Sequence, residues 1–236
     1  MKLARKHHTL DHGPLMVMHV SSQVDEVSFR ALWPRHVTEA ANSWIIPGQT
    51  EKELGQRHEN CIRLCSYNAR TLSTPADKAV LFERSSKINF DVIALQETKA
   101  KEDSAKMQGS GDLLILGHKV NGKNVGGVGF LVNERILHIV DSHEIMSPRL
   151  AVLRLKAPRQ PHIAVFSCYA PTSAADEEER EAFYEELEAE LRKEKSFYKY
   201  VLGDFNASIG EGDSGRIGKF GLGTRNDNGD RLEELL

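Results

Sequence analysis

The stretch that decides the fold is residues 198–207, which read YKYVLGDFNA. Four of its first five residues are apolar or aromatic, and such a run predicts a buried β-strand. Asp204 and Asn206 follow that run directly, so side chains able to bind a metal ion or a phosphate stand where the strand ends. Because strand-end loops carry much of the chemistry of layered α/β proteins, this stretch predicts both a strand and one edge of a site.

Six other short apolar runs precede this stretch and are rich in Val, Ile, Leu and Phe. Each is predicted to be a β-strand, and polar loops separate the runs. Strands that alternate with helices indicate an α/β domain. The six runs are residues 61–67, 91–96, 113–116, 127–132, 150–155 and 162–169.

Two helices are predicted between these strands, and a third apolar stripe follows them at residues 232–236. The first helix is indicated by Pro75, because proline suits the first turn of a helix. The second is indicated by an acidic start at Asp176 and by Phe183, Leu187 and Leu191, which recur every fourth residue. No internal repeat is visible in the sequence.

The composition excludes several classes of protein. Hydrophobic residues make up 40% of the chain and charged residues 28%, which excludes disorder throughout. No apolar run approaches the ~20 residues of a membrane span, and no secretion signal is indicated. The three cysteines lie in apolar runs, which favours free thiols in a reducing, intracellular compartment. The net charge of −3 disfavours a protein that coats nucleic acid nonspecifically, but it does not disfavour an enzyme.

The first 58 residues differ from the rest of the chain. They contain both tryptophans and six of the ten histidines, without sustained strand alternation. We therefore expect residues 1–58 to form a poorly ordered extension that packs weakly, and residues 59–236 to form the α/β domain. The histidine spacings match no metal-ligand pattern, so a zinc site is not expected.

Polar side chains stand at the ends of four predicted strands. They are Asn68, Glu97, Tyr169 and the pair Asp204 and Asn206. Because strand-end loops of layered α/β folds converge on one edge of the sheet, we expect a shared site. Two carboxylates with amides and a phenol suit a hard cation such as Mg²⁺. Taken singly, each residue also has an ordinary role as a turn former, a surface charge or a loop cap.

These residues lie in four of five motifs that follow one another in order: YNAR at 67–70, LQET at 95–98, GVGF at 127–130, YAPT at 169–172 and GDFNA at 203–207. The series resembles the endonuclease/exonuclease/phosphatase superfamily, and within it the branch of non-long-terminal-repeat retrotransposons and craniofacial-development-type proteins. Residues 225–229, RNDNG, also resemble that branch. The resemblance spans about residues 60–236 and implies a four-layer α/β/β/α sandwich, with two mixed β-sheets flanked by helices.

The resemblance also implies a role for each site residue. Glu97 would bind Mg²⁺, with Mn²⁺ as an alternative ion, and Asn68 would help to arrange the metal and its waters. Asp204 would orient and deprotonate the attacking water. Asn206 and Tyr169 would hydrogen-bond the phosphate as negative charge grows in the transition state. The implied activity is that of a DNA endonuclease of retrotransposon type.

The family's last motifs, an Asp in an Asp-Tyr-Ile-type strand and a terminal Ser-Asp-His, do not occur in this sequence. We therefore expect a domain incomplete at its C-terminus that binds Mg²⁺ weakly and cleaves DNA poorly. Two alternatives stay open. One is a phosphatase or phosphodiesterase that acts on lipids, inositol phosphates or RNA, and the other is a non-catalytic module that binds nucleic acid or protein.

Overall fold

The computed structural model describes residues 2–10, 13–19, 27–32, 61–210 and 223–235, which form two six-stranded sheets with helices outside them. The strands are β1 (Lys2–Leu10), β2 (Gly13–His19), β3 (Val27–Leu32), β4 (Cys61–Asn68), β5 (Val92–Gln96), β6 (Ser104–Met107), β7 (Leu113–Leu116), β8 (Gly129–Val132), β9 (Val140–Ser147), β10 (Leu150–Leu155), β11 (Ile163–Tyr169) and β12 (Tyr198–Asp204). The helices are α1 (Pro75–Ser85), α2 (Glu177–Lys193) and α3 (Asp227–Leu235), with a 3-10 helix at Glu134–Ile139.

Both sheets are mixed. The first runs in the order β1-β2-β12-β11-β10-β9 and the second in the order β3-β4-β5-β8-β7-β6. β11 and β12 are parallel in the first sheet, and β4 and β5 are parallel in the second. Parallel neighbours end at the same edge of their sheet, so these four strands bring their carboxyl ends together in pairs.

Three buried apolar clusters separate four layers. One cluster, which includes Ala94 and Leu202, fills the space between the two sheets. A second packs Phe183 and Leu187 of α2, together with α3, against the first sheet. A third packs Leu81 of α1 against the second sheet. The predicted α/β/β/α sandwich of two mixed sheets flanked by helices is therefore confirmed, and all seven predicted strands are present.

The helices begin where local chemistry allows it. Thr74 caps α1 in a reciprocal pair with Asp77, and Pro75 occupies the first turn. The Asp176 side chain accepts a hydrogen bond from the Glu179 N–H at 2.7 Å at the start of α2. No helix in the described part of the chain is long and apolar enough to cross a membrane.

Three strands lie within the range for which the sequence predicts a poorly ordered extension. β2 pairs in parallel with β12, and β3 pairs antiparallel with β4. Leu15 and Val17 of β2 are buried in the cluster beneath α2, which corrects the expectation of weak packing for this segment. The alternation behind this burial spans only a few residues and so escapes a search for sustained periodicity. Residues 33–60 lie outside the described residues, and the domain boundary at residue 59 stays a prediction.

An ion pair fixes the C-terminal end of α2 to the first sheet. Arg154 Nε donates to Glu194 Oε2 at 2.8 Å, and the Ser196 N–H donates to Glu194 Oε1 at 2.8 Å. Burial acts to raise the pKa of Glu194, but these hydrogen bonds outweigh it and the pKa lies below its usual range. A carboxylate with a depressed pKa stabilises the folded state at neutral pH, and its contribution is lost as the pH falls through the folded pKa.

Replacing Glu194 with glutamine is therefore expected to lower the free energy of unfolding at pH 7 by about 1–2 kcal/mol, because one charged hydrogen-bond partner of Arg154 is removed. The difference from wild type should shrink below about pH 4, where the unfolded-state carboxyl is protonated. Urea unfolding at pH 7 and at pH 3 measures both values. A difference of the same size at both pH values would contradict the assigned role of the Glu194 charge.

Candidate active site

One amide joins the two sheets at the edge where their parallel strands end. Asn68 Nδ2 donates to Glu97 Oε1 at 2.8 Å and to Asp204 Oδ2 at 2.9 Å. Asn68 ends β4 and Glu97 follows β5 in the second sheet, whereas Asp204 ends β12 in the first. The structure thus brings together three predicted site residues that are separated by up to 136 positions in the sequence.

The other two predicted residues lie at the same edge. Tyr169 ends β11 and stands in register with Asp204 in the parallel pair. Asn206 follows β12. Its N–H donates to Asp204 Oδ1 at 3.0 Å, and its side-chain Nδ2 donates to the Ala170 carbonyl at 2.8 Å. All five predicted residues therefore share one site, while their individual roles stay predictions.

Negative charge is concentrated in this site. Asp204 is 1% exposed, and burial raises its pKa, as does the nearby Glu97, although hydrogen bonds from Asn206 and Asn68 oppose the shift. Burial, followed by the charges of Glu97 and Asp204, raises the pKa of Tyr169 well above its usual range. The Tyr169 phenol therefore stays protonated at neutral pH and remains a hydrogen-bond donor.

Two cations beside the site were not predicted from the sequence. Lys99 Nζ lies 3.2 Å from Glu97 Oε2. The Arg149 guanidinium stands 5.5 Å from the centre of the Tyr169 ring, and its Nη1 donates to the Tyr169 carbonyl at 3.3 Å. Lys99 follows Glu97 by two residues, so its place in the same strand-end loop was a usable signal. Arg149 precedes its strand and offered no such signal.

Backbone strain is concentrated at this edge. A positive φ is unfavourable for residues other than glycine and persists only where the surroundings impose it. Among the described residues, five non-glycine positions have a positive φ, and only Arg159 lies away from the site. The other four belong to the site loops: Arg70 at 58°, Glu97 at 52°, Lys99 at 51° and Asn206 at 47°.

A buried polar network holds the sheets together beneath the site. Ser66 Oγ donates to Gln96 Oε1 at 3.1 Å, and Gln96 Nε2 donates to Ser167 Oγ at 3.2 Å. Gln96 and Ser167 belong to opposite sheets and are both fully buried. Every link in this network is a satisfied hydrogen bond, so it fixes the spacing between the sheets next to Glu97.

The donors at this edge fit a hard divalent cation. Mg²⁺ is commonly held by one or two carboxylates and retained waters, and Glu97 and Asp204 supply two carboxylates linked through Asn68. A buried carboxylate beside a second one is costly unless a cation offsets their charge. Within the residues that the structure describes, no group of three or more His, Cys, Asp or Glu side chains forms a metal cage.

The sequence model of one protein family matches most of this chain. The endonuclease/exonuclease/phosphatase family model matches residues 65–232, the range that contains all five site residues. The chain belongs to this family. The four-layer sandwich that the sequence motifs imply for this family is the fold described above.

Two curated relatives have moderate sequence identity to this chain. Craniofacial development protein 2 of Bos taurus is 28% identical over 197 residues, which cover 80% of this chain and 31% of that protein. The Tragulus javanicus protein of the same name is 28% identical over 183 residues, covering 75% of this chain and 30% of that protein. The chain thus spans about a third of the length of these curated relatives.

Two solved structures are also similar to this chain. The AP endonuclease LMAP from Leishmania major aligns with a TM-score of 0.43 at 14% identity and covers 63% of this chain and 56% of that one. CdtB, the biologically active subunit of cytolethal distending toxin, aligns with a TM-score of 0.42 at 15% identity and covers 63% of this chain and 69% of that one.

Proposed function

We propose that this chain hydrolyses phosphodiester bonds in DNA in a Mg²⁺-dependent reaction, as an endonuclease of retrotransposon type. The observation that carries the proposal is the Asn68 amide, which holds the Glu97 and Asp204 carboxylates of opposite sheets at one edge. Family membership supports hydrolysis of a phosphate ester. The DNA substrate and the retrotransposon type rest on the five sequence motifs.

Glu97 and Asp204 have different roles in the proposed reaction because their surroundings differ. Glu97 would hold Mg²⁺, with Asn68 fixing its orientation, and the ion when bound would neutralise charge on the phosphate oxygens. Asp204 accepts the proton of the attacking water. Because burial raises the pKa of Asp204, its carboxylate is a stronger base than an exposed aspartate. The Asn68 and Asn206 hydrogen bonds hold that carboxylate in one orientation.

Two side chains at the site would donate hydrogen bonds to the phosphate as negative charge develops on it. The Tyr169 phenol stays protonated, and the Asn206 amide carries a second N–H besides the one bonded to Ala170. Donors fixed in place before the reaction stabilise the transition state without reorganisation. Lys99 and Arg149 place two cations beside the site, and each is already paired with a carboxylate, so they offset local negative charge.

The test is nicking of supercoiled plasmid by the purified chain in Mg²⁺, in Mn²⁺ and in EDTA, with abasic-site DNA as a second substrate. We expect nicked circles in either metal and none in EDTA. RNA, inositol phosphates and a phosphate monoester, run in parallel, distinguish a phosphodiesterase or phosphatase with another substrate. Binding of DNA without hydrolysis of any substrate would instead favour the non-catalytic module. The expectation that cleavage is slow stays a prediction, and the measured rate tests it.

A further inference from the structure

The first turn of α3 contacts the loop that carries Asn206. Asn226 Nδ2 donates to the Asn206 carbonyl at 3.0 Å, and Asn226 Oδ1 accepts from the Ser208 N–H at 2.8 Å. The Asn226 N–H in turn donates to the Ser208 carbonyl at 3.0 Å. Asn226 therefore bonds to the backbone on both sides of Ala207, and it does so with its side chain and with its own backbone.

Asn228 makes a second bridge from the same turn. Its Nδ2 donates to the Pro171 carbonyl at 2.9 Å and to the Asn206 carbonyl at 3.3 Å. The side chain is 1% exposed, and the Tyr184 hydroxyl donates to the Asn228 carbonyl at 3.0 Å. This one amide thus ties the loop after β11, which follows Tyr169, to the loop after β12.

Gly229 allows the close approach that both bridges need. A Cβ on this glycine would collide with the Ser208 carbonyl oxygen, so a larger residue would push α3 away from the loop. The Gly229 N–H donates to Asn226 Oδ1 at 2.9 Å, which fixes the Asn226 side chain in turn. Residues 226–229 thus form one hydrogen-bonded unit against the loop.

The loop has a conformation that requires such support. Asn206 has a φ of 47°, a left-handed value that asparagine tolerates better than most residues with a side chain, and here the loop's hydrogen bonds hold it. Its N–H donates to Asp204 and its side chain to Ala170, so the backbone carbonyl is the group through which α3 acts on it. Without donors on that carbonyl, the loop would relax toward a negative φ and turn the Asn206 amide away from the edge.

We propose that Asn226 and Asn228 are positioning residues, which hold Asn206 and the Asp204 hydrogen bond in the geometry used for phosphodiester hydrolysis. This inference rests on the proposed function for its effect on rate, but its effect on the loop is independent of that function. Neither residue reaches the two carboxylates in the described structure, so both act through Asn206. The RNDNG motif at 225–229 thereby acquires a physical role.

The experiment compares Asn226→Asp with wild type and with Arg231→Ala. Asn226→Asp keeps the size and the Oδ1 acceptor but loses the N–H donor to Asn206. Arg231→Ala removes a contact of α3 with Glu177 of α2, at 3.4 Å, that does not involve Asn206. We expect Asn226→Asp to lower kcat on plasmid DNA by about tenfold with KM within about twofold of wild type. Arg231→Ala should retain the wild-type kcat, and both variants should keep a thermal midpoint near that of wild type.

Hydrogen exchange of the 204–209 backbone provides a readout that does not depend on catalysis. We expect faster exchange there in Asn226→Asp and in Asn226→Ala, and wild-type exchange in Arg231→Ala. A wild-type kcat together with unchanged exchange in both Asn226 variants would overturn the proposal. If wild type shows no cleavage that depends on Asp204, the proposed function fails, and exchange alone then decides whether Asn226 positions the loop.

Discussion

Asp204→Asn is expected to lower the Mg²⁺-dependent rate of DNA cleavage by about 10³-fold, because the amide cannot accept the proton of the attacking water. The asparagine keeps an oxygen for the Asn206 N–H, which now lies 3.0 Å from Asp204 Oδ1. Its Nδ2 would face Asn68 Nδ2, which now donates to Asp204 Oδ2 at 2.9 Å, so the loss of that hydrogen bond opposes the relief of a buried charge and the thermal midpoint should change little. Single-turnover nicking, normalised to folded protein, measures the rate.

The matched control is Asp141→Asn, an equal change of chemistry at an exposed residue of β9. Asp141 lies at the start of β9, beside the end of β10 and the start of β11, whereas the site lies at the end of β11. This control variant should leave cleavage at the wild-type rate. If Asp204→Asn cleaves as fast as Asp141→Asn, Asp204 is not the base, and nicking by the wild-type preparation then has another source.

Val17→Asp is expected to lower the free energy of unfolding by about 3 kcal/mol or more, because it places an unpaired carboxylate in an apolar cluster and removes a buried side chain. Val17 is 2% exposed in β2, beneath α2. A domain of this kind has only about 5–15 kcal/mol of stability in total, so the effect should be visible in urea unfolding.

Val80→Asp provides the comparison, since Val80 is 47% exposed on α1 and should change stability by less than about 0.5 kcal/mol. Equal, small effects at both positions would show that β2 does not pack as described, and would restore the expectation of a weakly packed N-terminal segment.

The predicted strands were found where both faces of a strand are buried. β5 and β11 are buried at every position, and strands of this kind have nearly continuous apolar sequences. β6 and β9 were not predicted because they lie at sheet edges and bury none of their side chains fully, which leaves no apolar pattern. Only pairing with β7 and β10, which is tertiary information, makes them strands.

The site was predictable in part for the same reason. Strand ends indicated Asn68, Glu97 and Asp204, because the topology of layered sheets brings strand ends together. The sequence contained no sign that Asn68 would bond to both carboxylates, since that depends on the distance between two separate sheets. The positioning role proposed for Asn226 and Asn228 could not be predicted from the sequence either, because an asparagine in a loop is more often a turn residue.

Because Asn68 bonds to a carboxylate of each sheet, the geometry of the candidate site depends on the distance between the two sheets. One carboxylate is attached to each sheet, so their separation is set by the side chains stacked between the sheets, such as Ala94 and Leu202. Close-packed interiors transmit small changes in volume instead of absorbing them. A methylene added deep in that layer would shift Glu97 relative to Asp204 without touching either. We therefore expect an enlarging substitution in that layer to lower cleavage as well as stability.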